Sequence, residues 1–322
     1  MLLPVYNGAK HLSLAIDSVL QQSYSNLELI IVDDASTDES WNIICAFSDN
    51  RLITVRNRQN VGLSGSLNIA SNIATGRYLA RHDQDDISYR HRIQYQVQFL
   101  NANPNIVAVG TWVQLRRYFD STFQDYVPRR QHPTTDHNIR LLLSWNNPFI
   151  HGSMMIRRDA FNTCGGYSQN NDITPPEDYE LWTRMSTLGE FANLPMQLLT
   201  YQINPAGMSQ TRSKEIFAKS IATSQCYISD LLCGQHNSIY YTSLTILNGR
   251  PDSDLHFHDY LMADRLVVSL AKAIAKQRGR FPLSQLVRAV KTVHLVQLSQ
   301  TVSKHPWLYK IARRILSIVK QQ

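Results

Sequence analysis

Short apolar runs alternate with helix-like patterns along the first third of the chain, and this alternation constrains the fold more than any other feature. The strand-like runs are Leu2–Val5, Leu27–Val32, Leu52–Val55, Tyr78–Ala80 and Ile106–Val109. Between them apolar residues recur at helical spacing, as in Leu12, Ile16, Val19 and Leu20. A regular exchange of strands and helices predicts an α/β fold with a mostly parallel sheet flanked by helices.

The composition is that of a globular protein. The chain has 322 residues, of which 43% are hydrophobic and 18% charged, so it can bury a core and does not belong to the disordered class. Strand patterns fade after about residue 210, and helical patterns continue to the end. We therefore predict an α/β domain over residues 1–210 and a helical C-terminal region over residues 211–322.

Cysteine usage and hydropathy suggest a cytoplasmic location. The four cysteines include no C-x-x-C pair, so they predict neither a disulfide framework nor a zinc site. The first residues lack the basic start and long apolar stretch of a signal peptide. No segment approaches the roughly 18–20 uncharged apolar residues that span a bilayer.

The positive charge is concentrated near the C-terminus. The chain carries a net charge of +7, and residues 265–322 contain 12 Lys or Arg and no Asp or Glu. The final helical stripe consists of Leu308, Ile311, Ala312, Ile315, Leu316 and Val319. An apolar stripe beside basic residues predicts peripheral contact with an anionic membrane, although a helix packed on the main domain with a solvated basic face stays open. Nucleic-acid binding is disfavoured because no such motif accompanies the charge.

Three acidic clusters stand out on this basic chain: Asp33-Asp34, Asp83-Gln84-Asp85-Asp86 and Glu177-Asp178. The first two follow predicted strands, and the carboxyl ends of neighbouring parallel strands converge on one crevice. Two carboxylates separated by one residue can hold a divalent cation that prefers oxygen ligands. This pattern predicts metal-assisted handling of a phosphorylated substrate. The simpler alternative for the second cluster is an acidic turn before a helix over residues 87–100.

Other residues have a functional and a structural interpretation. Tyr6 could stack on a nucleobase, or belong to an ordinary strand-to-helix turn. Glu177 and Asp178 could supply a general base, or favour the dipole of a helix that starts after Pro175-Pro176. The segment His151-Gly152-Ser153 could lie in the acceptor pocket or near the metal, and Trp182 could line the same pocket. The simpler alternatives are a hydrogen-bonded histidine and a core tryptophan.

Taken in order, these motifs resemble a family 2 glycosyltransferase with the GT-A fold. The resemblance covers roughly residues 1–205. It is carried by five segments that follow one another in the family's order: Leu3-Pro-Val-Tyr-Asn-Gly8, Leu29-Ile-Ile-Val-Asp-Asp-Ala-Ser-Thr-Asp38, Asn60–Asn68 followed by Ala74–Ala80, Asp83-Gln-Asp-Asp86, and Glu177-Asp-Tyr-Glu-Leu-Trp182.

The resemblance implies a donor site and a metal. Asp34 would contact a base of the uracil or thymine type, Asp83 would lie against the ribose or the metal, and Asp85 would be the main ligand of Mg²⁺ or Mn²⁺. The remaining nucleotide-binding residues would be Pro4, Tyr6, Asn7 and Asn60. His82 and Leu67 depart from the family, which usually has an apolar residue and often a basic residue at these positions.

The resemblance also implies the reaction. Asp178 would be the catalytic base of an inverting single displacement, with Glu177 supporting it. The expected enzyme uses a UDP or dTDP sugar and a glycan or lipid-linked acceptor, in surface polysaccharide biosynthesis on the inner face of the cytoplasmic membrane. A sugar-nucleotide nucleotidyltransferase and a non-catalytic, membrane-associated binding module are the alternatives. A nucleotidyltransferase would normally carry a Gly-rich basic loop early in the chain. In residues 1–40, however, Gly8 is the only glycine and Lys10 the only lysine or arginine.

Overall fold

The computed structural model describes residues 1–119, 122–125, 132–172, 174–204, 207–232, 239–248 and 257–278. The chain divides into two compact units, Met1–Thr223 and Ser224–Gln322. The predicted amphipathic helix at residues 308–319 lies outside the described residues. The domain boundary at residue 210 remains a prediction.

Strands and helices alternate along the first unit. The first nine elements are β1 (Leu2–Val5), α1 (Ala9–Leu20), β2 (Leu29–Asp33), α2 (Ser40–Cys45), β3 (Leu52–Arg56), α3 (Gly62–Ile73), β4 (Tyr78–Ala80), β5 (Ile87–Ser88) and α4 (Arg92–Ala102). They are followed by β6 (Ile106–Phe119), β7 (Thr122–Asp125), α5 (Asp136–Leu143), a 3-10 helix (His151–Ser153), β8 (Met155–Arg157), α6 (Arg158–Thr163), α7 (Glu177–Met185), β9 (Glu190–Ile203) and α8 (Met208–Thr211). The next helix, α9 (Ser213–Leu231), contains the boundary between the two units.

A parallel three-stranded sheet forms the first half of the unit, with β2 between β1 and β3. Every residue of β2 is buried. Leu29 and Ile31 belong to the main hydrophobic core together with Leu12 and Ile16 of α1. Because side chains alternate along a strand, Ile30 faces the opposite side, where α3 packs on β1 and β2.

The second sheet is mixed, in the order β4-β8-β6-β9-β5 with β7 on β6. Among the strands that the structure describes in this sheet, β6 and β9 pair in parallel and the other pairs are antiparallel. A parallel bridge between Leu2 and Arg81 joins the two sheets, and the His82 N–H donates to the Leu2 carbonyl at 3.0 Å. The segment that follows β4 therefore runs parallel to β1, from its first residue toward the edge where β1 and β2 end.

One predicted helix boundary is wrong. The helix expected over residues 87–100 begins only at Arg92. Residues Ile87–Ser88 instead form β5, antiparallel to Thr200 and Leu199 of β9. Pairing with a distant strand overrides the local helical pattern here.

The second unit contributes α10 (Ile239–Leu247) and α11 (Phe257–Arg278), which pack against each other. Leu244 of α10 and Leu270 of α11 are fully buried. Within the part of the chain that the structure describes, none of the helices combines the length and the apolar character needed to cross a bilayer.

Candidate active site

The acidic motif after β4 connects three parts of the first unit. Asp83 Oδ1 accepts a hydrogen bond from Arg81 Nη2 at 2.5 Å. Gln84 bonds the backbone of Tyr6 in the loop after β1. Asp86 Oδ1 accepts the N–H of Gln202 in β9 at 3.0 Å. Asp86 is therefore buried and links the start of β5 to β9 through this hydrogen bond, and it does not begin a helix.

Gly152 approaches this motif so closely that a side chain would not fit. A Cβ at this position would lie 2.6 Å from Asp83 Oδ2 and 2.7 Å from Asp86 Oδ2, so the two oxygens converge on one place. Asp86 Oδ2 is buried and has no hydrogen-bond partner among the described residues. A buried, unpartnered carboxylate oxygen is costly and is a strong acceptor for a ligand or an ion.

Crowding of the carboxylates perturbs their protonation. Burial, followed by the negative charge of Asp83, raises the pKa of Asp85 to about 6. Burial also raises the pKa of Asp86 well above its usual value, with added contributions from Asp83 and Asp85. A positive charge bound nearby would favour the ionised carboxylates and lower these pKa values.

Two buried arginines lie beneath the motif. Arg81 is 2% exposed, and Arg92 is completely buried. Arg92 donates to the Arg81 carbonyl at 2.7 Å and to Ser88 Oγ at 2.9 Å. Burial lowers the pKa of Arg92 to about 9, which the charges of Asp86 and Asp83 oppose. Burial and both arginines lower the pKa of the adjacent His82, so this histidine is neutral and the arginines carry the compensating charge.

The motif fits a divalent cation that is shared with a ligand. No three His, Cys, Asp or Glu side chains in the described part of the chain form a complete metal cage. Mg²⁺ is commonly held by one or two carboxylates together with substrate phosphates, and so does not need such a cage. The unpartnered Asp86 oxygen, the convergence on Gly152 and the raised pKa of Asp85 are consistent with a site of that kind.

The loops after β1 and β2 are joined through Asn7. Its N–H donates to Ser36 Oγ at 3.0 Å, and its Oδ1 accepts the Thr37 N–H at 2.8 Å. Asn7 has a φ of 50°, in the left-handed region that asparagine tolerates better than most residues. Pro4 is buried in β1, whereas the Tyr6 side chain is 48% exposed and free to meet a ligand.

Asp34 organises the start of α3. Its carboxylate accepts hydrogen bonds from Asn57 Nδ2 at 2.8 Å and from the N–H groups of Val61 and Gly62, both at 2.9 Å. Asn60 Nδ2 donates to the Asp34 carbonyl at 3.4 Å. A carboxylate among the first amides of a helix is favoured by the helix dipole. Asp34 and Asn60 therefore shape the loop where a base was predicted to bind, and the base contact itself stays a prediction.

Glu177 and Asp178 lie in the first turn of α7, and both are buried. Asp178 Oδ2 accepts a hydrogen bond from Asn147 Nδ2 at 2.7 Å. Burial nevertheless raises the pKa of Asp178 to about 6 and that of Glu177 to about 7. The charge of Asp83 contributes to both shifts, so the two acidic groups lie within electrostatic range of each other.

His151 lies beside Glu177 and directly precedes Gly152, which approaches Asp83 and Asp86. Its Nδ1 is 3.6 Å from Glu177 Oε1, and its Nε2 is 2.8 Å from the Tyr167 hydroxyl. Burial and the charge of Arg81 lower the pKa of His151 well below its usual value, so the ring is neutral. Trp182 is completely buried and meets the His151 ring edge-on at 6.2 Å. Trp182 supports the site from the core, and its predicted role in acceptor binding remains untested.

Several residues of the site carried no sequence signal of their own. Asn147 and Gln202 belong to no motif, and their contacts with Asp178 and Asp86 arise only in the folded chain. Gly152 was singled out only as part of the segment His151-Gly152-Ser153, and its close approach to Asp83 and Asp86 arises in the folded chain.

The chain is similar to known proteins over the region that builds this site. The family model described as "Glycosyl transferase family 2" matches residues 1–165. EpsE of Bacillus subtilis (strain 168), which is named as a glycosyltransferase, is 33% identical over 206 residues, covering 63% of this chain and 71% of that protein. The Escherichia coli protein named UDP-Glc:alpha-D-GlcNAc-diphosphoundecaprenol beta-1,3-glucosyltransferase WfaP is 27% identical over 221 residues, covering 68% of this chain and 83% of its own length.

The fold has solved counterparts. The mannosyltransferase PcManGT from Pyrobaculum calidifontis, solved in complex with GDP-Man and Mn²⁺, aligns with a TM-score of 0.56 at 18% identity. The alignment covers 99% of this chain and 86% of that one, which confirms the predicted GT-A fold. Because the family model spans half of the 322 residues, the chain belongs to glycosyl transferase family 2 and is a glycosyltransferase.

Proposed function

We propose that this enzyme moves a sugar from a nucleotide-diphosphate donor of the UDP or dTDP type to a glycan or lipid-linked acceptor, with inversion. The step would belong to surface polysaccharide biosynthesis. One observation carries the proposal: the buried pair Glu177-Asp178, with raised pKa values, lies within electrostatic range of the acidic motif at Asp83–Asp86. The WfaP relative is named for a UDP-Glc donor and a diphosphoundecaprenol-linked acceptor, and this supports the choice of substrates.

The donor is assigned to the loops at the ends of β1, β2 and β4. The exposed Tyr6 ring would stack on the base, and Asp34 would complete the base site together with Pro4, Asn7 and Asn60. Asp83 and Asp85 would hold Mg²⁺ or Mn²⁺ against the diphosphate. A cation bound there would offset the charge that develops on the departing nucleotide.

Asp178 is assigned as the general base. As the acceptor oxygen bonds to the anomeric carbon of the sugar, the bond from that carbon to the phosphate oxygen breaks, and the acceptor proton passes to Asp178. A pKa of about 6 leaves this carboxylate ionised near pH 7 and makes it a stronger base than an ordinary aspartate. Asn147 holds one of its oxygens at 2.7 Å, and Glu177 beside it adds negative charge.

A donor screen followed by a transfer assay tests this proposal. UDP, dTDP and GDP sugars with Mn²⁺ would be ranked by thermal shift, and the best donor would then be offered to a GlcNAc-diphosphate lipid analogue. We expect stabilisation by a UDP or dTDP sugar and release of the nucleoside diphosphate. Stabilisation without release for every acceptor would favour the non-catalytic binding module, and no stabilisation by any donor would refute the proposal.

Peripheral binding at the inner face of the cytoplasmic membrane is part of the same proposal, and it rests on the basic C-terminal sequence alone. Removing residues 305–322 should release the protein from anionic liposomes in co-sedimentation. Replacing Lys310, Arg313 and Arg314 by glutamine, which keeps the apolar stripe, separates the electrostatic contribution. Undiminished sedimentation of the truncated protein would contradict the membrane contact.

A further inference from the structure

Gln84, the middle residue of the Asp83-Gln84-Asp85 motif, joins the two halves of the proposed donor site. Its Oε1 accepts the Tyr6 N–H at 2.9 Å, and its Nε2 donates to the Tyr6 carbonyl at 3.2 Å. The two residues are 78 positions apart in the sequence. Because both the donor and the acceptor of one peptide backbone are engaged, the contact fixes the orientation of the Tyr6 backbone as well as its distance.

Gly8 provides the space for this contact. A Cβ on Gly8 would lie 2.4 Å from Gln84 Oε1 and 2.5 Å from Gln84 Cδ, so any larger residue would displace the amide. The Gly8 N–H donates to Ser40 Oγ at 2.9 Å, which holds the other side of the same loop. The loop after β1 is therefore fixed between α2 and the acidic motif.

We propose that Gln84 is a positioning residue of the donor site, which sets the distance between Tyr6 and the pair Asp83 and Asp85. The inference rests on the proposed function. A nucleotide-diphosphate sugar must meet its base contact and its diphosphate contact at the same time, and fixing both in advance lowers the entropic cost of binding. Gln84 acts through Tyr6 and does not touch the reacting atoms.

The test compares two independent ways of breaking this contact. Gln84→Met keeps the length of the side chain but removes the amide, and Gly8→Ala displaces the amide from the opposite side. Gln94→Met is the matched control, because Gln94 is also half-buried and its Oε1 accepts a hydrogen bond from Ser23 Oγ at 2.8 Å and lies 3.4 Å from His91 Nδ1. The measurement is the affinity for UDP in the presence of Mn²⁺ by titration calorimetry, with uridine as the second probe.

Loss of two hydrogen bonds from a half-exposed site should weaken UDP binding by about tenfold in each single variant. The affinity for uridine should fall by about threefold or less, because uridine lacks the diphosphate and its binding does not depend on the distance between Tyr6 and the acidic motif. The double variant should bind no worse than the weaker single variant, since both changes break one contact. In turnover, the KM for the donor should rise while kcat changes by less than about twofold.

The outcomes separate this inference from the proposed function. Wild-type affinity for UDP in Gln84→Met would overturn the inference and leave the proposed function intact. Equal losses of affinity for uridine and UDP would also overturn it, and so would additive losses of UDP affinity in the double variant. Neither result fits a residue that sets the distance between Tyr6 and the acidic motif. Failure of the wild-type protein to bind UDP, dTDP or GDP with Mn²⁺ would refute both.

Discussion

Replacing Asn147 by alanine should shift the pH dependence of transfer toward higher pH. Asn147 Nδ2 donates to Asp178 Oδ2 at 2.7 Å, and this hydrogen bond lowers a pKa that burial raises. Removing the donor leaves the ionised Asp178 less stabilised in the same buried position. The carboxylate then needs a higher pH to lose its proton and act as a base.

The size of the shift follows from the energy of the bond. A hydrogen bond to a charged group contributes about 1.5–3 kcal/mol, and one pKa unit corresponds to about 1.4 kcal/mol. Water can replace part of the lost bond, so we expect the lower end of this range. The pKa of Asp178 should rise from about 6 by about one unit, which lowers the ionised fraction at pH 6.5 about threefold.

The assay is kcat/KM for transfer between pH 5 and 9, because this quantity reports the essential groups of the free enzyme. Asn103→Ala is the matched control: its Nδ2 donates to the Phe99 carbonyl at 2.8 Å, in a half-buried site that contains no carboxylate of the motif. The acidic limb should move by about one unit in Asn147→Ala and stay in place in the control. An unmoved limb in Asn147→Ala would refute the assignment of Asp178 as the base.

Asp85→Asn should abolish the gain in UDP affinity that Mn²⁺ provides in titration calorimetry, and an unchanged gain would remove Asp85 as a ligand. Gly152→Ala should weaken UDP binding with Mn²⁺, because its Cβ would lie 2.6 Å from Asp83 Oδ2. Gly76→Ala, whose Cβ would have no neighbour nearer than 3.4 Å, is the control and should leave the affinity unchanged. Equal affinities in the two variants would argue against convergence on Gly152. Glu177→Gln should stabilise the metal-free protein in urea unfolding. Burial raises the pKa of Glu177 to about 7, so ionising this carboxyl destabilises the folded state at high pH. The free energy of unfolding should therefore rise in the variant by roughly 3 kcal/mol at pH 8.5 and by less than about 1 kcal/mol at pH 5. An increase that does not depend on pH would contradict the buried charge.

Local patterns predicted the parallel half of the fold because burial and periodicity coincide there. Leu12, Ile16 and Val19 recur at helical spacing and all face the core in α1. Residues Leu29–Val32 form a continuous apolar run and are buried on both faces in β2. In such elements a residue's environment follows from its position in a short repeat.

The region after the acidic motif could not be predicted in this way. The local pattern predicts a helix directly after Asp86, yet Asp86 Oδ1 accepts a hydrogen bond from Gln202, 116 residues further along the chain. That bond, together with the pairing of β5 with β9, moves the start of α4 to Arg92. Local propensity is a weak guide when the partner of a segment is so distant.

The candidate site, like the fold, could be predicted from the sequence only in part. The order of motifs was enough to propose Asp34, Asp85 and Asp178, because acidic side chains at strand ends and helix starts have recognisable positions. It could not supply Asn147 beside Asp178 or Gly152 beside Asp83, since each contact needs two segments that meet only after folding. These neighbours determine the pKa values and the space on which the proposed chemistry depends.

The most direct test of the account is a comparison of donor binding and sugar transfer in Asp178→Asn. With the best donor from the screen and Mn²⁺, we expect the donor Kd to stay within about threefold of wild type, because the proposal assigns Asp178 to the acceptor side. Transfer should fall by about 10²-fold or more, which is the lower range for loss of a general base. Transfer at the wild-type rate would contradict the central claim that Asp178 accepts the proton of the acceptor.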